Sequence, residues 1–282
     1  MSLSPSYAEK IEYSSVYGLV NSWRFGQSLG IDPIGISPTC SLNCVYCQLG
    51  NIQQQTTQRR IFVPTTQVIS DLQAFVQKEA PIDVVTVSGS GEPTLALNLE
   101  EILQATTYII NKPLVVLTNG TLLGDKSVRN ALSLADIVAI KLDAVLSNQL
   151  RQINQPLETI NLPDIFQGIE KFRQEYGGYM AIQTMILSSW TAETQAHYIH
   201  LMKRLQPDEI QLNIPSRSRV LVHQLESRSN EIVESRTYTC QNFNCISSEE
   251  LSLMAETIQN ATQISVRYSS RRQVAQGRKH RK

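Results

Sequence analysis

Between residues 65 and 215, short apolar runs alternate with segments of helical spacing, and this rhythm admits few folds. The runs are Asp83–Ser88, Leu114–Thr118, Ile137–Leu142, Tyr179–Leu187 and Glu209–Asn213, the last stopped by Pro215. Between them, Val68, Leu72, Phe75 and Val76 follow Thr65 and Thr66 as candidate caps. Leu99, Ile102, Leu103 and Ile109 mark a second helix, Ala131–Ala135 closes a third, Ile165, Ile169 and Phe172 mark a fourth, and Thr191–Leu205 is a fifth. Upstream, Gly30–Ile36 alternates as a short strand would, which brings the strand–helix units to about six. Continuous apolar strands are buried on both faces, and strands alternating with helices form right-handed βαβ units on a parallel sheet. Six units are too few for a closed eight-fold barrel. The expected fold is α/β, a partial (βα)6 TIM-type barrel with an irregular C-terminal extension.

The flanks read differently. The first 30 or so residues are polar and irregular, and Gln53–Gln58 reads as an exposed turn. Residues 216–244 show no periodicity. Ser247-Ser248-Glu249-Glu250 is a capping box that opens a helix through Leu251, Met254, Ala255 and Ile258, and Gln263–Tyr268 reads as a last strand. The expected organisation is an N-terminal segment (1–33), a core (34–215), an extension with one helix (216–270) and a basic tail (271–282).

Charge sharpens that division. The chain's 25 basic and 25 acidic residues cancel, but from Arg267 onward there are seven basic residues and no acidic one. Residues 1–266 carry 18 basic and 25 acidic side chains, a net charge of −7. An acidic body is poorly suited to nucleic acid, whereas a basic tail suits a polyanionic or acidic partner. The hydrophobic content, 41%, excludes a wholly disordered chain. No apolar run reaches the roughly 18 residues that a bilayer requires, and MSLSPSYAEK lacks the pattern of a signal peptide. A cytoplasmic location follows, and there cysteines read as thiols or metal ligands before disulfides.

Three of the five cysteines, Cys40, Cys44 and Cys47, fall within eight residues. Thiolates suit iron–sulfur clusters and zinc. A closed zinc site needs a fourth ligand, and the four histidines (His197, His200, His223, His280) are all distant in sequence. Three ligands to a four-iron cluster leave one iron open to an exogenous ligand.

Here the chain resembles a family. CxxxCxxC with the aromatic Tyr46 before the third cysteine is similar to the radical S-adenosylmethionine superfamily. Ser28–Pro33, Thr39–Gly50, Ser88-Gly89-Ser90-Gly91-Glu92-Pro93, Leu117–Gly120, Lys141–Ala144 and Gln211–Asn213 resemble a branch related to wybutosine-type tRNA enzymes and cyanobacterial peptide-modifying spliceases. The residues after Gly18 depart from that branch, which tends to have proline there. The resemblance implies that Cys40, Cys44 and Cys47 hold a [4Fe-4S] cluster. It implies that Gly91, Glu92 and Pro93 bind S-adenosylmethionine, with Glu92 or nearby carbonyls accepting from its ammonium group and Tyr46 packed by its adenine. Asn119, Lys141 and Asp143 are candidates for its ribose and carboxylate, and Asn213 for the adenine side. The implied activity is reductive cleavage to a 5′-deoxyadenosyl radical that abstracts a substrate hydrogen, in an oxidoreductase or lyase served by an external electron donor.

The implied substrate is a peptide or protein, in ribosomal peptide modification of the splicease kind, with a small leader-binding partner protein as an accessory. The alternatives are tRNA base modification and a non-enzymatic iron–sulfur electron carrier. Arg24-Phe25-Gly26 resembles the family's N-terminal segment, which implies an arginine over the active-site mouth, and Arg217, Arg219, Arg228 and Arg236 read either as a solvated loop or as a substrate clamp. Cys240 and Cys245 read as unligated thiols, too few for an auxiliary cluster.

Overall fold

The computed structural model describes residues 13–77, 80–215, 219–220, 228, 240–241 and 246–268. Among them, eight strands form one sheet: β1 (Val16–Ser22), β2 (Gly26–Ile31), β3 (Val84–Val87), β4 (Leu114–Thr118), β5 (Ile137–Lys141), β6 (Tyr179–Met185), β7 (Glu209–Asn213) and β8 (Ser265–Tyr268), ordered as numbered. β1 is antiparallel to β2, and every other pair is parallel. The helices are α1 (Thr65–Val76), α2 (Leu99–Ile109), α3 (Lys126–Leu132), α4 (Leu162–Glu175), α5 (Ala192–Leu205) and α6 (Ser248–Thr262). Six strands, β2 to β7, follow one another in sequence order with helices between them, which is the partial (βα)6 architecture expected.

Local chemistry explains the boundaries. Asn161, Thr191 and Ser247 accept from the backbone N–H of Asp164, Thr194 and Glu250, closing the first turns of α4, α5 and α6 at 3.0, 3.1 and 3.1 Å. α1 starts directly at Thr65 behind Pro64, so neither threonine acts as its cap. The helices bury one stripe each against the sheet, as with Ile165, Ile169 and Phe172 of α4, while β3 buries all four of its residues.

From Val16 onward the N-terminal region is regular, where an irregular segment was expected; residues 1–12 lie outside the described residues. Residues 16–31 form a hairpin whose second strand, β2, is the first parallel strand of the sheet, so that strand lies at 26–31 rather than 30–36. At the other edge, Arg267 of β8 ion-pairs with Glu209 of β7 at 3.4 Å and donates to the carbonyl of Trp23, in the β1–β2 turn, at 3.2 Å. The two edges of the sheet therefore meet at its amino end, and the sheet curls into a partial barrel. Among the described residues no helix is long and apolar enough to cross a membrane. The basic tail and most of the 216–244 segment lie outside the described residues.

Candidate cofactor site

At the carboxyl end of β2 the chain turns on Asp32, whose Oδ1 accepts from the N–H of Ile34 (3.0 Å) and Gly35 (3.1 Å). The cysteine loop follows and is tied down on three sides. Residues 39–40 pair with Gln54–Gln55, so the Gln-rich stretch is half-buried support for the loop and not an exposed turn. Gln55 donates to the carbonyls of Ser41 (3.2 Å) and Gln155 (2.8 Å). On a second side the loop is laced to the turn after β3: Thr39 N–H to the Ser90 carbonyl and Glu92 N–H to the Thr39 carbonyl, both 3.0 Å. A Cβ at position 91 would lie 1.7 Å from the Thr39 oxygen, so only glycine allows the two backbones to meet. On the third side, Asn43 N–H donates to the Asn154 carbonyl (3.0 Å) and Val45 N–H to the Ile153 carbonyl (2.9 Å). Those acceptors sit in a single wide π turn, Leu150–Asn154, ended by Gln155 in a left-handed conformation (φ 44°).

The side chains brought here come from successive strand ends, where ligands of parallel α/β folds collect. Glu92 is buried, and its carboxylate is engaged by four protein donors. Oε1 accepts from Thr94 N–H (3.1 Å), Thr94 Oγ1 (2.7 Å) and Thr118 Oγ1 (2.6 Å), and Oε2 from Asn119 N–H (2.7 Å). Pro93 opens the short turn beyond it. Asn119 Nδ2 donates to Ser41 Oγ at 2.9 Å and to Cys40 Sγ at 3.5 Å.

Asp143 organises the opposite wall. Its Oδ2 accepts from Asn154 Nδ2 (2.6 Å), from the Tyr46 hydroxyl and from the Lys141 ammonium (2.6 Å), and its Oδ1 from Met185 N–H (2.9 Å). Lys141 lies 4.8 Å over the Tyr46 ring and donates to Cys44 Sγ at 3.1 Å, where Asn154 Nδ2 also approaches at 3.5 Å. Burial pulls the Lys141 ammonium down, but Asp143, Cys44 and Tyr46 outweigh it and hold the group well above its usual range. Burial, with Glu92 and Cys44 adding to it, pushes the Cys40 thiol up; burial and then Cys44 push Cys47 up to about 11.

Gly91, Glu92, Asn119, Lys141, Asp143 and Tyr46 thus surround the cysteine loop. Asn213 ends β7 beyond Met185, its register partner in β6. Arg24 is elsewhere: it sits in the β1–β2 turn at the amino end of the sheet, opposite the cysteine loop, because β2 must be traversed before the loop begins. Arg219 does reach the loop, donating to Asn51. Arg228 forms an ion pair with the buried Asp32 at 3.0 Å. Cys240 is described by its backbone alone, paired with Val220, while Cys245, Arg217 and Arg236 lie outside the described residues. Asn154 and Ser41 were not legible as site residues. Asn154 sits in a stretch without periodicity and reaches Cys44 across 110 positions.

The donor set fits an iron–sulfur cluster. Among the described residues no three His, Cys, Asp or Glu side chains converge on a single metal ion. A four-iron cluster instead takes each thiolate on a separate iron. N–H donors already face two of the sulfurs, Leu42 N–H (3.4 Å) and Asn119 at Cys40, and Lys141 and Asn154 at Cys44. Such bonds stabilise ligated thiolates.

Residues 34–214 match the family model of the Radical SAM superfamily, and the chain belongs to that superfamily. It is a radical SAM enzyme, of the class whose cofactors are a [4Fe-4S] cluster and S-adenosylmethionine. Within the class it is 45% identical over 258 residues to the UPF0026 protein slr1464 of Synechocystis sp., covering 90% of this chain and 96% of that one. Two solved structures of Streptococcus suis SuiB share the fold at 16% identity. The S-adenosylmethionine-bound form has a TM-score of 0.57 over 83% of this chain and 48% of that one; the form bound to precursor peptide SuiA has 0.59 over 86% and 48%. The chain spans about half the length of those structures.

Proposed function

We propose that Cys40, Cys44 and Cys47 hold the [4Fe-4S] cluster, that Tyr46, Gly91, Glu92, Pro93, Asn119, Lys141, Asp143 and Asn213 bind S-adenosylmethionine, and that the substrate is a peptide or protein. The observation that carries the reading is the convergence of these side chains from successive strand ends on one cysteine loop. When bound, the reduced cluster supplies the electron that cleaves S-adenosylmethionine to methionine and a 5′-deoxyadenosyl radical.

The protein's own residues divide the remaining work. Oε1 of Glu92 is taken by three donors and the carboxylate fixes the Thr118–Asn119 strand end, while Oε2, with one donor, joins the main-chain carbonyls of the turn around Gly91 in accepting from the ligand's ammonium. Lys141 supplies the positive charge for the ligand's carboxylate, and Asp143 holds Lys141 and Tyr46 in place. The loop's three-sided lacing keeps the thiolates in one arrangement.

A peptide substrate is supported by the partial barrel, whose two edges are joined among the described residues at the amino end, and by the fold shared with a protein crystallised with its precursor peptide. The acidic body disfavours tRNA. Reconstituted protein with a chemical reductant should release 5′-deoxyadenosine and bind about four irons per chain, and Cys44→Ala should lose both. An intact cluster that yields no 5′-deoxyadenosine overturns the assignment. Deuterium transfer into 5′-deoxyadenosine from labelled precursor peptides, but not from labelled tRNA, tests the substrate class, and an external electron donor and a small leader-binding partner protein belong to the same reading.

A further inference from the structure

Beside the cysteine loop, on the β1–β2 side of the carboxyl face, lies a second built site. Asp32 is wholly buried, and its Oδ2 accepts from Ser90 Oγ at 2.7 Å and from Arg228 Nη1 at 3.0 Å. The Arg228 guanidinium stands 5.2 Å from the centroid of the Tyr13 ring and 5.0 Å from that of Tyr17, and it also donates to the Ser14 carbonyl at 3.1 Å. Tyr17 is fixed without it, whereas the Tyr13 hydroxyl also bonds Arg228. The Tyr17 hydroxyl bonds Ser88 Oγ at 2.8 Å, and its ring lies against the backbone of Gly30. Tyr13 donates to the Asp32 carbonyl at 3.3 Å. Burial pushes the Tyr17 phenol up to about 12, so it is neutral.

Two aromatic faces, a buried carboxylate and a carbonyl make the set that selects a guanidinium. The cage is drawn from the N-terminal strands and the turn carrying Gly91 and Glu92. Its occupant comes from 196 positions beyond Asp32. Ser88 and Ser90 are shared between the cage and that turn, so the cage abuts the cofactor site.

We propose that Tyr13, Tyr17 and Asp32 form a subsite for an arginine side chain of the substrate, and that Arg228 fills it from within the chain until a substrate arginine displaces it. The identity of the ligand as a peptide rests on the function proposed above; the preference for a guanidinium rests on the cage alone.

The test is calorimetric binding of acetyl-Gly-Arg-Gly-amide and its citrulline counterpart to the full chain, compared with Arg228→Ala and with Arg228→Ala combined with Asp32→Asn. The expected result is at least tenfold tighter binding of the arginine peptide by Arg228→Ala than by the wild type. The citrulline peptide should show no such gain, and Asp32→Asn should abolish it. Should Arg228→Ala fold poorly, the arginine peptide and not the citrulline peptide should raise its melting midpoint. Equal response to the two peptides, or no response, overturns the proposal and leaves Arg228 as a clasp for the extension. Binding is read without turnover. A chain that fails to act on any peptide but still prefers arginine refutes the substrate class alone, and one that acts on peptides without that preference refutes the subsite alone.

Discussion

At position 91 no side chain fits, because the Thr39 carbonyl occupies the space a Cβ would take. Gly91→Ala must therefore push the cysteine loop off the turn after β3. A loss of about 3 kcal/mol is expected from urea denaturation, the upper end for overpacking, since the clash is with backbone. Glu92 carries a pH signature. Burial raises its carboxyl above the usual 4.5, although four hydrogen bonds from Thr118, Asn119 and Thr94 pull the other way. A carboxyl with a raised folded-state value contributes stability that is full below its unfolded value and is lost as pH rises through the folded one. The stability of the wild type relative to Glu92→Gln should fall as pH rises from the usual carboxylate range through the raised value of the folded state, measured by urea midpoints at each pH. Residue-level legibility tracked locality. The cysteines, Gly91 and Glu92 are short motifs whose spacing carries their chemistry. Asn154 was invisible because its partners, Cys44 and Asp143, are gathered by a turn with no sequence signature. Arg24, expected at the mouth from a resemblance alone, lies at the opposite end of the sheet because strand β2 separates it from the cysteine loop.

Among the elements, the π turn at 150–154 is the one that the cysteine loop leans on. Its carbonyls take the N–H groups of Asn43 and Val45, and Asn154 ties it to Asp143. Asn154→Ala removes two donors from buried acceptors. It should cost about 1–2 kcal/mol and speed hydrogen exchange at the amides of Asn43 and Val45, while amides in β4 stay protected. The helices and inner strands were readable because buried parallel strands are continuously apolar and the helices are amphipathic, with polar caps on α4, α5 and α6. The β1–β2 hairpin was not, because its register shifts between Tyr17 and Val20 and breaks the two-residue alternation that marks a strand.

Across the described residues, the first and last strands of the sheet are joined through Arg267. Arg267 binds Glu209 and the Trp23 carbonyl, and its guanidinium lies 5.5 Å from the Trp23 ring. Arg267→Ala should cost only about 1 kcal/mol, since the residue is partly exposed, yet it should loosen β1 and β8 together in hydrogen exchange. Unchanged protection of β1 would show that the two edges are held independently. The partial barrel was legible from the count of strand–helix units; the joint was not, because it depends on how far the sheet twists. It also has a consequence for biogenesis. The bond from Arg267 to Trp23 spans 244 positions, whereas every proposed ligand residue lies at or before Asn213. During synthesis the cysteine loop and the strand ends around it emerge before the residue that joins the edges. The nascent chain thus presents nearly all of the proposed cofactor cradle while the sheet is still unlatched, and on that proposal loading and closure become separable events in the maturation of the enzyme.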